Sequence, residues 1–408
     1  MFSAPQTTHR ASRPAAREPD AAAAHSTDTA SSSAATPGAG PAAGGDTQRT
    51  GHPGGEARGG RDPFFDNAKY LAIVLVAIGH AWEPVMDGSQ LTRGLYLLVY
   101  VFHMPAFIVI SGYFSRSFTG TPRQLRRLLT GIALPYVVFE VLYSLARRWI
   151  GGESGHPISL LDPFYLTWFL AALFVWRLTT PLWRQIRHPL PVALALAALA
   201  SLTPGIGADL NLQRVLQFLP YFVLGLLLRP EHFQLLRRPE VRRLSLPVLL
   251  AAPVLACLAA PHVHFGWVYR SFSAQELQRP WWTGPLMSLV LFVAAVTLTA
   301  AFLAWVPRRR TWFTALGVGT VCGYLLHGLP LKAADWTGLF ERYGWLSEPA
   351  GRVLLTVAAA AMVTLLCTPW VHRALRWATE PDMVWAFRRD ALDLARGDDR
   401  GRSRSPRR

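Results

Sequence analysis

The sequence predicts an all-α, polytopic membrane helix bundle of about ten transmembrane helices, preceded by a disordered N-terminal tail. Three observations carry this. Of 408 residues, 51% are hydrophobic and only 16% charged. The apolar residues gather in blocks approaching the roughly 20 residues that a spanning helix needs. Arginine clusters recur in every second connection between those blocks. The formal charge of +16 therefore reads as a topology signal, not as a nucleic-acid footprint. Cys257, Cys322 and Cys367 all lie inside apolar runs without paired or metal-ligand spacing, which supports neither a disulfide framework nor a metal site.

Residues 1–60 are rich in Ala, Pro, Gly, Ser and Thr and nearly lack large apolar side chains. Such a segment cannot bury enough surface to offset its ordering entropy, and it has no apolar stretch that would make a cleavable signal peptide. The membrane domain is expected over 61–385, followed by a basic tail over 386–408 that is either solvated or laid on anionic lipid.

Ten apolar runs can be marked, at roughly 64–82, 95–114, 128–145, 164–178, 190–205, 212–228, 246–260, 286–305, 312–329 and 353–371. The fourth, fifth and seventh are short for a span. After runs two, four, six and eight the connections are arginine-rich, for example Arg116, Arg123, Arg126 and Arg127 after the second. The intervening connections are poorer in Arg and Lys. That alternation puts the even connections and both termini in the cytoplasm.

In the first run, Asp66, Lys69 and His80 interrupt an otherwise apolar helix. At about 1.5 Å per residue, His80 lies roughly 16 Å beyond Lys69, and eleven steps of about 100° return it to nearly the same helix face. His103 enters from the opposite side in the second run, roughly 12 Å below its outer end, and Glu140 sits roughly 18 Å into the third. These groups can share one layer, and ionisable groups at that depth are functional candidates by default.

An imidazole that titrates near neutrality can take a proton from an attacking hydroxyl, which marks His80 as a general-base candidate; the alternative is a structural histidine bonding a neighbouring helix. His103 is followed by Pro105, whose missing N–H frees a carbonyl nearby. Glu140 can orient a histidine or simply join helices. Arg123 and Arg126, three apart at the cytoplasmic end of the third run, suit bidentate phosphate binding or a positive-inside flank. Between residues 261 and 285, Trp267, Tyr269, Phe272, Trp281 and Trp282 form either a sugar-stacking platform or an interfacial belt. His262 and His264 have no carboxylate or cysteine close in sequence, so no metal is expected. His327, in the ninth run, lies toward the outer side, and Gly317, Gly319, Gly323 and Gly328 around it imply close helix contacts.

The blocks RDPFFDNAKYLAIVLVAIGH, FHMPAFIVISGY, TWFLAALFVWRL, LQFLPYFVLGLLL and GYLLHG, in this order, together resemble the integral membrane acyltransferase family 3, most closely its fucose 4-O-acetylase-like branch. The family's basic residue and histidine are matched by Lys69 and His80, with Lys where many members have Arg, and its arginine pair by Arg123 and Arg126. The resemblance implies transfer of an acyl group, usually acetyl, from cytoplasmic acyl-CoA to a hydroxyl of a carbohydrate, glycolipid or other cell-envelope acceptor, in the plasma membrane. It implies His80 as the catalytic base or acyl carrier, with Lys69 before it, His103 near it and Arg123 and Arg126 on the donor; by position, Asp66 joins Lys69 in tuning His80 from the same helix face and Glu140 is a further catalytic candidate. Many relatives carry an extra extracytoplasmic esterase-like domain that no stretch here supplies, which leaves transfer to the membrane part or a separate partner. A transporter or flippase for an envelope glycan or lipid is the alternative, because buried His, Glu and Lys also serve proton relays. The sequence shows neither inverted repeats nor paired broken helices, which argues against it.

Overall fold

The computed structural model describes residues 62–207, 209–381, 383 and 386–387. The expected N-terminal tail, and all of the C-terminal one except 386–387, lie outside the described residues. No strand occurs among them, and six helices are long and apolar enough to cross a membrane.

The first of these, α1 (Pro63–Trp82), starts where the sequence supplies both devices a helix start needs. Asp62 accepts a hydrogen bond from the Phe64 amide at 2.9 Å, and Pro63 takes the first helical position. A 3₁₀ turn, Glu83–Gly88, leads into α2 (Gln90–Ser115), whose first turn is capped by Ser89. Next comes α3 (Pro122–Trp149), with one π turn at Leu129–Ala133. Pro135 has no N–H to return to the carbonyl of Gly131, and the ladder widens just before it.

Three shorter apolar helices follow: α4 (Trp168–Leu178), α5 (Pro189–Leu202) and α6 (Leu212–Leu227). At 1.5 Å per residue, α4 is about half the thickness of the hydrocarbon layer. Its Trp168, Phe169, Leu170, Ala171, Ala172, Leu173 and Trp176 are all buried, so its neighbours, not lipid, surround it. The long helices α7 (Pro239–Ala259) and α8 (Thr283–Trp305) and the later α11 (Pro349–Leu366) do the opposite and bury few of their residues. The ninth apolar run is not one continuous helix. It divides into a 3₁₀ turn at Thr314–Val318, α9 (Thr320–Leu326) and α10 (Gly328–Trp336).

Helix contacts here depend on small residues, because lipid chains compete with any apolar interface. A Cβ on Gly112 of α2 would collide with the Phe222 carbonyl of α6, and one on Gly225 with the Val109 carbonyl of α2. The glycines of the ninth run likewise seat backbones closely: Gly317 lies on Asp66, Gly319 and Gly323 on Cys367, and Gly328 on Tyr143. Polar side chains add cross-links, with Tyr70 bonded to Thr364 and Trp82 to Thr356, each at 2.8 Å, tying α1 to α11. Asn67, fully buried, holds the carbonyls of Pro307 and Arg309 at 2.9 and 3.1 Å and accepts from Thr314 at 2.7 Å.

Candidate active site

His80 is the point where α1, α2, α9 and the segment before α4 converge. Its Nδ1 lies 2.9 Å from the Tyr100 hydroxyl, 2.9 Å from that of Tyr165 and 3.4 Å from a Glu83 carboxylate oxygen. All three partners can accept from Nδ1–H, and that tautomer leaves the Nε2 lone pair as the base. The fully buried His327 ring lies 5.5 Å from that of His80, and the His103 ring packs edge-on to Tyr100 at 4.8 Å.

Tyr165 reaches His80 only because its backbone is held in the left-handed region, with φ of 53°. A non-glycine residue pays roughly 1–3 kcal/mol for such a conformation and keeps it only when its surroundings impose it. Those surroundings are specific. Asn211 donates to the Pro163 carbonyl at 3.1 Å, Glu140 accepts from the Phe164 amide at 2.9 Å and from the Thr167 hydroxyl, and the Tyr324 hydroxyl donates to the Leu166 carbonyl. Helices α3, α6 and α9 thus clamp one turn that presents one phenol.

Two cavities meet beside His80. The first, of about 310 Å³, is lined by His80, Glu83, Tyr100, His103, Trp168 and Arg214 among others. The second, of about 240 Å³, has mostly apolar walls with Lys69 and Arg177 in its lining. Val76, Met104 and Tyr324 belong to both linings. The shared walls are single helix faces. On α1 the lining residues are Lys69, Val76 and His80, and on α2 they are Tyr100, His103, Met104, Phe107 and Ser111, in each case at spacings that return to the same side of a helix. A third, smaller cavity of about 160 Å³ touches His80, Glu83 and Tyr165 and ends at Lys332 and Asp335, paired at 3.1 Å. The chain has only two lysines, Lys69 and Lys332, and each lines one of these cavities.

The structure brings His80 and His103 into one wall. Lys69 shares the expected face of α1 but lines the second cavity, paired with Asp66 at 2.8 Å. Glu140 is buried outside all three linings and acts on the Tyr165 turn instead. Arg123 and Arg126 also fall outside them; the Arg126 guanidinium packs over the Phe387 ring at 5.0 Å. Of the aromatic segment at 261–285, Tyr269 lines the first cavity, Trp267 is buried, and Trp281 and Trp282 are exposed. His264 caps a short helix by accepting from the Gly266 amide at 3.1 Å.

Sequence reasoning missed Glu83, Tyr100, Tyr165, Arg177, Arg214 and Lys332. Glu83 had a signal, three residues beyond His80, and Tyr100 had the same spacing before His103. Arg177 was visible only as one of many flanking arginines.

A family model described as an acyltransferase domain matches residues 62–372, which includes every site residue named above. No curated protein and no solved structure matches the chain. A bundle of apolar helices that folds the matched span around a half-buried imidazole and two adjoining cavities agrees with that match, and the chain belongs to the acyltransferase 3 family of membrane acyltransferases.

Proposed function

We propose that the protein transfers an acyl group, usually acetyl, from acyl-CoA in the cytoplasm to a hydroxyl of a carbohydrate or other cell-envelope acceptor, as in the fucose 4-O-acetylase-like branch. The supporting observation is the junction of the two cavities at Val76, Met104 and Tyr324. The second cavity suits the donor. Its apolar walls match a pantetheine arm, and Lys69 and Arg177 offer positive charge to the phosphates. These two cations replace Arg123 and Arg126 in our reading of the donor site. The first cavity suits the acceptor, because Trp168, Tyr100 and Tyr269 can stack on sugar rings while Arg214, Asn211 and Asp162 orient hydroxyls.

At the junction, Nδ1–H of His80 is held by Glu83 and the two phenols, and Nε2 takes the proton of the acceptor hydroxyl as its oxygen attacks the thioester carbon. The C–S bond breaks, and His80 returns the proton to the leaving thiolate. Attack by Nε2 itself, with an acyl-histidine passed on to the acceptor, uses the same groups. The charge alternation supports an orientation with the arginine-rich connections and both termini on the cytoplasmic side, and a cell-envelope acceptor fits a plasma-membrane location.

The test is to incubate purified protein with labelled acetyl-CoA and envelope glycans from cells deleted for the gene, then follow the label by mass spectrometry. Label on a glycan hydroxyl is the expected result. No turnover with any hydroxyl acceptor would favour a transporter or flippase instead.

A further inference from the structure

The largest cavity of the set, about 530 Å³, lies away from His80 between the start of α7 and the end of α8. Its lining holds Arg237, Arg242, Arg308 and Arg309 and, among the described residues, no carboxylate. We propose that this cavity binds the phosphodiester headgroup of an anionic phospholipid from the leaflet on the arginine-rich side. Two features besides charge point to a lipid.

Trp305 stands at the rim, 39% exposed, with its indole N–H donated to Ser245 at 2.9 Å and the Arg242 guanidinium 4.1 Å over its ring. An indole fixed in this way marks the headgroup level of a bilayer. Below it, Leu246, Leu250, Val254 and Leu258 form an exposed stripe at four-residue spacing down α7, a track for an acyl chain that starts at the pocket. A soluble phosphate compound would make no use of that track.

The electrostatics are also unfinished. Arg237 is paired with Asp62 at 3.0 Å. Partial burial, together with the adjacent Arg237 and Arg242, pushes the Arg308 guanidinium below its ordinary range. A bound phosphate would relieve that mutual repulsion, and basic pockets between helices at this level suit lipid phosphates. The loop carrying Arg308 and Arg309 is held to α1 by Asn67, one residue from Asp66, so the lipid would brace the helix that carries Lys69 and His80.

Native mass spectrometry of the full chain, exchanged into mixed phosphatidylglycerol and phosphatidylcholine, reads this directly. Wild type should retain phosphatidylglycerol in preference, and the Arg242→Gln/Arg309→Gln variant should lose about tenfold of that preference. A control pair on another basic flank that lines none of the four cavities described, Arg123→Gln/Arg127→Gln, should keep it. Should the double variant not fold, Arg309→Gln alone, at an exposed position, carries the same test. Equal retention of the two lipids, or equal loss in the control, would reduce the pocket to a charged flank and overturn the proposal. Displacement of the lipid by free coenzyme A or inorganic phosphate would overturn it too, by giving the pocket to a soluble anion. A mass doubling that vanishes in the variant would give it to a second copy of the chain.

Discussion

The two cavities that meet at Val76, Met104 and Tyr324 are made by the same two helices yet have different characters. On the His80 side, α1, the 3₁₀ turn after it and α2 contribute His80, Glu83, Tyr100 and His103, and the opposite wall adds Trp168, Arg214 and Asn211. On the Lys69 side, the same faces contribute Val76, Met104, Phe107 and Ser111, opposite Phe169, Leu170 and Leu173. In the function proposed above, one compartment holds and activates polar groups and the other passes a thin apolar chain tethered to an anion. The difference teaches that binding and chemistry are separable here, so variants should sort by compartment.

The largest effects belong to the polar compartment. Glu83→Gln should lower kcat roughly a hundredfold, because the imidazole loses the carboxylate that orients Nδ1–H. Its KM for the donor should hardly move, and a proportional rise in KM would place Glu83 with the donor instead. Removing the Tyr165 hydroxyl deletes one hydrogen bond to His80, and Tyr165→Phe should cost about tenfold in kcat. Glu140→Gln should have a comparable effect through the turn it clamps, with double-variant kinetics of the two changes less than additive. Full additivity would separate Glu140 from Tyr165.

Variants of the apolar compartment should read out differently. Lys69→Ala/Arg177→Ala should raise the donor KM by about tenfold with kcat near that of wild type. The smallest change is expected at Arg123→Gln/Arg126→Gln, within about twofold in either parameter, since neither residue lines any of the three cavities around His80 and Lys69. A donor KM for that pair rising as far as for Lys69 and Arg177 would move the phosphate site back to the entrance of α3.

The part of this comparison that follows from local geometry was legible in the sequence. Helical rise and rotation set Lys69 and His80 on one face of α1, and the glycines around His327 announced the close contacts of the ninth run. The short fourth run had its explanation in burial, which composition cannot separate from a short span. What escaped was whatever depends on contacts between distant segments. Tyr165 stands in a turn whose conformation is imposed from α3, α6 and α9, and no periodicity marks it. Glu140 reads as an intramembrane carboxylate in one dimension, and only the third shows it bonded to the Phe164 amide. Arginine 177 was indistinguishable from flanking charge until Ser115, which its Nε reaches at 3.0 Å, and the cavity lining placed it.

The most direct test of the two-compartment account is to measure coenzyme A binding and acetyl transfer on the same preparation of His80→Ala. The account predicts a folded protein whose Kd for coenzyme A stays within about twofold of wild type while transfer falls by at least about a thousandfold. Transfer at the wild-type rate, or loss of binding together with transfer, would contradict it.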